Sequence, residues 1–338
     1  MADFLKPEYS APADRIAVLR PGALGDVLCA RGLLAAARAA EPTIALSFAA
    51  PGERGRLFAD AGWIDRALDW DASAWSWLYR ADDAEPPAAL REFFARCRAV
   101  FAFLGDGARV AARLAAAAPN ADIHMLPSRP PGDDDGSIYL WMARQCGDWL
   151  VEKGWRRPEV PRDPDAFARL RFARCGVFPD ERPGRYVVAH PGSGSVRKNW
   201  PVAHFAAVCR ALAASETGIG RFVVVSGEAD GDLGDRLHRL LPGSLPIARP
   251  ALPELAALLA GADLYLGNDG GVGHLAAAVE TEDGSRPRVA VVFGPTDSRV
   301  WRPPGALALE AGKGMDGLDP LAAAERIRAF FGSARGRH

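Results

Sequence analysis

Five cysteines (Cys29, Cys97, Cys146, Cys175 and Cys209) are scattered through 338 residues, and no two stand in a C-x-x-C pair. A zinc knuckle or a disulfide framework therefore has no footing, and a reducing cytoplasm is the expected compartment. Net charge is nearly absent as well: 41 Lys and Arg balance 42 Asp and Glu, for a formal −1. Binding to a phosphate backbone normally shows as a basic excess, so nucleic acid is not an expected partner. No apolar run approaches the roughly 20 residues that cross a bilayer. Met1 to Pro12 lacks the apolar core of a signal peptide. The expectation is a cytoplasmic protein, with a peripheral visit to a membrane surface left open. H-E-x-x-H, G-x-x-x-x-G-K-[ST] and G-x-S-x-G are all missing. Lysine is scarce, with Lys6, Lys153, Lys198 and Lys313 the only four, so a lysine inside a motif carries extra weight. The acidic runs Asp82-Asp83 and Asp133-Asp134-Asp135 sit among Pro, Gly and Asp; they read as solvated loop faces rather than as a metal site.

What is present is ordinary globular composition, 49% apolar and 25% charged, which excludes disorder, collagen and coiled coil. The length suggests two domains or one large one. Apolar runs of strand length at 16–20, 44–49, 99–104 and 123–126 alternate with helical patterns at 24–40 and 109–118, and a helix follows at 138–153. Proline-dense breaks fall at 157–164 and 179–184, so a domain boundary is placed within 155–184. The alternation then restarts. Strands are expected at 186–190, 221–226, 263–266 and 288–293. Helices are expected at 202–214, 232–241, 252–260, from 273 to 279, and at 318–331. Strand–helix alternation is the signature of a doubly wound parallel sheet, here in two successive halves with a ligand cleft between them.

Four loops carry the chemistry. Arg20-Pro-Gly-Ala-Leu-Gly-Asp-Val27 follows the first strand. It puts Asp26 near a helix start, where unpaired N–H groups and the helix dipole favour a carboxylate. Asp26 is then either a plain helix-start residue or a general base; the segment is not G-x-G-x-x-G, so a dinucleotide site is a weak reading there. His190-Pro-Gly-Ser-Gly-Ser-Val-Arg-Lys-Asn-Trp-Pro201 frees backbone N–H groups and adds the cation of Lys198, a combination that suits a phosphate. The bland alternative is a strand-to-helix loop with an exposed lysine. Trp200 anchors that loop, and His190 reads as structural. Gly267-Asn-Asp-Gly-Gly-Val-Gly-His274 opens a helix whose first amides form an anion site. Asp269 beside them would repel a diphosphate, so it either takes hydrogen bonds from sugar hydroxyls or orients Lys198. In Phe293-Gly-Pro-Thr-Asp297, Thr296 and Asp297 bond either a sugar or a neighbouring loop, and Trp301 packs.

Together, and in this order, these segments resemble the ADP-heptose:lipopolysaccharide heptosyltransferase family, glycosyltransferase family 9, over residues 15 to 310. The resemblance implies an α/β, B-type glycosyltransferase architecture of two Rossmann-like doubly wound domains facing a cleft. Residues 1–165 would form the acceptor domain, 166–317 the nucleotide-sugar domain, and 318–338 a helix returning to the first domain. It implies Asp26 as catalytic base and Lys198 at the donor phosphates. Donor contacts would come from Ser193, Gly194, Ser195, Glu228, Asp269, Gly270, Gly271, Val272, Gly273, His274, Thr296 and Asp297. Residues 245–252 would flank the base, and Gly22, Ala23, Leu24 and Gly25 would meet the acceptor. The implied reaction is inverting, metal-independent transfer of a heptose-like sugar from a nucleoside diphosphate, ADP-heptose foremost, to a lipopolysaccharide-core or related glycan. No further cofactor and no partner protein are implied, and contact with the inner membrane face would be peripheral, with the helix at 138–153 and Arg129, Arg156 and Arg157 as candidate contacts. This chain departs from the family at Gly270 and Gly273, where hydroxyl residues are usual, and residues 282–286 lengthen a loop. Those losses motivate the alternative of a non-catalytic or repurposed nucleotide-sugar-binding protein of the same fold. A nicotinamide-dependent oxidoreductase is the remote third reading, since the fingerprint is missing from the first loop.

Overall fold

The computed structural model describes residues 15–82, 84–105, 107–132, 136–154, 169–173 and 185–333. The N-terminal residues before 15, Asp83, Asp133–Asp135, Arg156, Arg157, Cys175 and the prolines of the expected linker lie outside the described residues. The chain divides into two compact units, 1–162 with 166–168, and 163–165 with 169–338.

The first unit is built on a five-stranded parallel sheet. Its strands are β1 (Arg15–Leu19), β2 (Ala45–Ala50), β3 (Arg66–Asp69), β4 (Cys97–Ala102) and β5 (Asp122–Met125), in the order β3-β2-β1-β4-β5. β1 is buried along its whole length between β2 and β4, as expected of a strand covered on both faces, and this is why it reads as an unbroken apolar run. The expected helix over 24–40 is two helices, α1 (Leu24–Cys29) and α2 (Arg31–Ala40). Helices α3 (Glu53–Asp60), α4 (Ala88–Phe94), α5 (Gly107–Ala117) and α6 (Ile138–Glu152) complete the unit. A Cβ on Gly32 would stand 1.9 Å from the Tyr139 carbonyl, so the glycine lets the backbone of α6 lie directly on α2. Helix α6 buries Tyr139, Trp141, Met142, Cys146 and Trp149, so its aromatic side chains serve packing. Arg129 is exposed on the loop before it.

The second unit carries a six-stranded parallel sheet. Its strands are β7 (Arg185–His190), β8 (Ile219–Ser226), β9 (Leu245–Ala248), β10 (Leu264–Asn268), β12 (Arg288–Phe293) and β13 (Leu307–Glu310). A separate parallel pair joins β6 (Leu170–Phe172) to β11 (Val279–Thr281). The large sheet runs β13-β12-β10-β7-β8-β9. Counted from β7, that is the doubly wound order 3-2-1-4-5-6, whose direction reverses between β7 and β10. Ligands of open α/β sheets bind at such a switch point, outside the carboxyl ends of the strands. Helices α7 (Val202–Ala213), α8 (Leu233–Leu240), α9 (Leu252–Ala260), α10 (Gly271–Ala276), α11 (Ser298–Trp301) and α12 (Pro320–Ser333) surround the sheet. Ile327 and Phe331 of α12 join Phe205 and Cys209 of α7 in the core of this unit, and the Arg288 guanidinium lies 4.4 Å from the centre of the Phe331 ring.

Five strands escape the sequence expectation: β3, β6, β9, β11 and β13. Each has only three or four residues, and all but β11 are partly exposed along much of their length. An apolar pattern that short does not distinguish a strand from a loop. The expected helix from 273 to 279 begins instead at Gly271 and ends at Ala276, and its last turn gives way to β11.

Candidate active site

Both glycine loops of the second unit fall at the switch point, one after β7 and one after β10. The strands are adjacent and in register there, with Gly267 opposite His190. Asn268, the last residue of β10, is wholly buried. Its side-chain amide donates to the Pro191 carbonyl at 2.7 Å, and its carbonyl accepts from the Trp200 amide at 3.0 Å. One asparagine therefore pins both ends of the 191–200 loop to the sheet. Inside the loop, the Ser193 hydroxyl bridges the Ser195 carbonyl at 2.7 Å and Asn199 Oδ1 at 2.6 Å. Trp200 is buried at the loop's end, edge-on to Phe205. Gly194, by contrast, is exposed.

This scaffold aims Lys198. Its Nζ lies 2.7 Å from Asp269 Oδ2, and the Thr296 hydroxyl donates to the same oxygen at 2.7 Å. Asp269 is only 5% exposed, and its amide donates to the Val292 carbonyl on β12 at 2.9 Å. Three loops, after β7, β10 and β12, thus converge on one carboxylate. An ammonium held by a buried carboxylate has its position fixed but keeps other donors for an anion.

The glycine turn lies next to this carboxylate. Helix rules leave the amides of Gly270, Gly271 and Val272 without intrahelical partners. The Gly273 amide differs from the expectation: it donates to the Gly270 carbonyl at 3.1 Å, so it closes the turn and does not face outward. His274 is buried within α10. A Cβ on Gly270 would meet nothing closer than 3.8 Å, so the missing hydroxyl there is not forced by space. At Gly273 a Cβ would stand 3.2 Å from Val291 Cγ2.

Asp297 and Glu228 stand on the segments that follow β12 and β8. Asp297 caps α11, accepting from the Arg299 amide at 2.9 Å and pairing with the Arg299 guanidinium at 2.6 Å. Its pKa lies below the ordinary aspartate value because of those Arg299 hydrogen bonds. Glu228 is exposed at the start of the short helical turn Glu228–Asp230 that follows β8. Sequence reasoning missed Asn268 and Asp230 as individual residues. The only available signal was position: Asn268 ends the strand before the motif aspartate, and Asp230 stands two residues beyond Glu228.

In the first unit, Asp26 sits in the first turn of α1 and is 39% exposed at its side chain. Its Oδ2 accepts from the Ala23 amide at 3.1 Å, and its Oδ1 lies 3.3 Å from Arg20 Nη2. Arg20 is 2% exposed. It donates through Nε to the Asp26 carbonyl at 2.7 Å and through Nη2 to the Ser128 carbonyl at 2.9 Å, while its guanidinium lies 4.6 Å from the centre of the Phe103 ring. Burial pushes the Arg20 pKa below its ordinary value. A Cβ on Gly22 would stand 2.7 Å from the Asp26 Cβ, so only glycine lets the loop fold back over this aspartate. Asp26 is therefore a helix-start residue and, in the same geometry, a half-exposed carboxylate with one oxygen held by an amide and the other beside a buried guanidinium. Leu24 and Gly25 fall in the same turn, and the Gly22 carbonyl accepts from Arg54 at 2.7 Å.

Among the described residues, no three His, Cys, Asp or Glu side chains are gathered as a metal site. Likewise, no described helix is long and apolar enough to cross a membrane.

A family model described as Glycosyltransferase family 9 (heptosyltransferase) matches residues 162–313, most of the second unit short of α12. Lipopolysaccharide heptosyltransferase 3 of Escherichia coli is 36% identical over 124 residues, a stretch covering 35% of this chain and 34% of that one. The matched stretch thus spans about a third of that relative's length. A glycosyl transferase family 9 structure from Veillonella parvula superposes with a TM-score of 0.68 at 15% identity, covering 96% of this chain and 99% of that one. The E. coli heptosyltransferase WaaC, solved with ADP-2-deoxy-2-fluoro heptose, gives 0.64 at 20% identity, covering 94% and 99%. These likenesses show the fold, the two Rossmann-like units of B-type glycosyltransferases. Within that fold, residues 162–313 match the model of glycosyltransferase family 9, the heptosyltransferase family.

Proposed function

We propose that the protein is an inverting, metal-independent glycosyltransferase that moves a heptose-like sugar from a nucleoside diphosphate to a lipopolysaccharide-core or related glycan. The observation that carries the reading is the Lys198–Asp269–Thr296 cluster beside the glycine turn at the sheet's switch point. The names of the relatives support the sugar and its acceptor, and the solved E. coli structures with ADP and with an ADP-heptose analogue support ADP-heptose as the leading donor.

In this reading the diphosphate rests against the amides of Gly270, Gly271 and Val272 and takes a further hydrogen bond from Lys198. Ser193 shapes the loop, Glu228 receives the ribose and residues 245–252 flank the base. Asp26 accepts the proton of an acceptor hydroxyl as that oxygen forms its bond to the anomeric carbon. The bond from that carbon to the diphosphate oxygen breaks in the same displacement, so the configuration inverts and the electron pair leaves on the nucleoside diphosphate. Lys198 and the turn amides meet the charge that develops on the leaving group, which is the largest contribution expected of such a site. The protein works in the cytoplasm, with its acceptor met at the inner membrane face.

The test is transfer from ADP-heptose to a lipopolysaccharide-core acceptor. Asp26→Asn should lower kcat by roughly 10²–10⁴-fold, the range of general-base assistance, while ADP binding is unchanged. A kcat within a few-fold of wild type removes Asp26 from the base role. Binding of ADP without any turnover favours a repurposed binding protein.

A further inference from the structure

Asp230 is 7% exposed and does not belong to the Lys198 cluster. It ends the short helical turn that follows β8. Its Oδ2 lies 2.8 Å from His190 Nε2 and also accepts from the Gly227 amide. His190 is the last residue of β7 and is itself buried. A third segment closes on the same carboxylate: a Cβ on Gly192 would stand 1.9 Å from Asp230 Oδ1. Only a glycine at 192 lets the loop that carries Lys198 pass over Asp230. Burial pushes the Asp230 carboxyl pKa up, but the hydrogen bond and charge of His190 and the Gly227 amide outweigh it and leave it below the ordinary value. The fold therefore holds the anion.

Such a buried charged hydrogen bond, here from the end of β7 to the turn after β8, is stronger than a neutral one. The loop that follows β7 carries Ser193 and Lys198. The turn after β8 carries Glu228. We propose that Asp230 and His190 are positioning residues of the donor site, whose buried bond fixes these two loops at one spacing so that diphosphate and ribose are received together. This rests on the reading of these loops as the donor site. Without the bond, the loops must be ordered when the nucleotide binds, and that ordering is subtracted from affinity.

The test is calorimetric titration with ADP, GDP and UDP, using whichever wild-type protein binds most tightly. Asp230→Asn keeps the shape but removes the charge facing His190, and should weaken binding about tenfold. His190→Gln should do the same. The two together should be no worse than either alone, because both remove one interaction. Gly192→Ala reaches the same contact from the other side and should also weaken binding, which keeps the test decisive if Asp230→Asn fails to fold. Cys209→Ser destabilises the same unit from its apolar core and should leave affinity within twofold, so a merely structural role is told apart. The proposal is overturned if folded Asp230→Asn and Gly192→Ala proteins bind within twofold of wild type, or if the Asp230 and His190 losses add. Lys198→Ala separates the failures. If it weakens binding while Asp230→Asn does not, this inference alone falls. If it too changes nothing, or the wild type binds none of the three nucleotides, the donor reading falls and takes this inference with it.

Discussion

Replacing Asn268 with alanine should loosen the donor loop at both of its ends at once. The substitution leaves two backbone groups without their partners, the Trp200 amide and the Pro191 carbonyl, which the Asn268 side chain holds at 3.0 and 2.7 Å. Asn268 is wholly buried, so water does not replace it without rearrangement. Leaving a buried donor or acceptor unsatisfied costs about 1–3 kcal/mol, and two of them cost about 2–6 kcal/mol. At roughly 2–4 °C per kcal/mol for a unit of this size, the melting midpoint should fall by about 8–16 °C for a central loss of about 4 kcal/mol. The cysteines give a unit-resolved assay. Cys97 and Cys146 are buried in the first unit and Cys209 in the second, and burial pushes all three thiols up to about 12. None should alkylate in the folded state, because the thiolate is the reactive form. In a urea series read by mass spectrometry, Asn268→Ala should expose Cys209 at much lower urea than wild type and leave Cys97 and Cys146 nearly where they were. A shift of the Cys209 urea midpoint that corresponds, through the m-value, to less than about 1 kcal/mol would refute the pinning of the loop by this asparagine. Asn268→Asp is a useful companion: it keeps an acceptor for the Trp200 amide but sets a carboxylate against the Pro191 carbonyl, so it too should destabilise.

Further outcomes follow from the same geometry. Gly270→Ser should fold with a melting midpoint within about 2 °C of wild type, since a Cβ there meets nothing nearer than 3.8 Å. It should bind ADP a few-fold more tightly by adding a hydroxyl donor, and a large thermal destabilisation would contradict the open space at that position. Gly273→Ser should cost about 1 kcal/mol more, because Val291 must give way at 3.2 Å. The depressed pKa of Asp230 makes its anion stabilising above the ordinary aspartate value of about 4; that stabilisation is lost as pH falls through the still lower folded-state value. The stability gap between wild type and Asp230→Asn should therefore shrink as pH falls below about 4. A gap that persists unchanged to pH 3 would sink this assignment.

The central strands and the loops that follow them were legible in the sequence for a physical reason. β1, β7, β10 and β12 are buried strands of parallel sheets, so they read as apolar runs, and each ends where glycine or proline breaks the run. Lys198 stood out because lysine is rare in this chain, and Asp26 because it follows a tight glycine turn. The rest was hidden for reasons equally specific. The break between α1 and α2 leaves no mark in an alanine-rich sequence. The edge strands β3, β9 and β13 are too short and too exposed to show a period. Gly273 looked like an outward-facing amide because sequence does not tell which N–H of a helix start is used to close its own turn. Asn268 and Asp230 act by joining segments about 70 and 40 residues away, and no local pattern announces a partner at that distance. The sequence leaves Asp297 open between a sugar and a neighbouring loop, because a capping aspartate and a binding one look alike until the helix start is located.

Hydrogen–deuterium exchange with and without ADP puts the central claim to the most direct trial. The account predicts slowed exchange at the amides of Gly270, Gly271 and Val272 and in the segment around Lys198, and loss of that protection in Lys198→Ala. Protection that is confined to other segments, or that survives in Lys198→Ala, would contradict it.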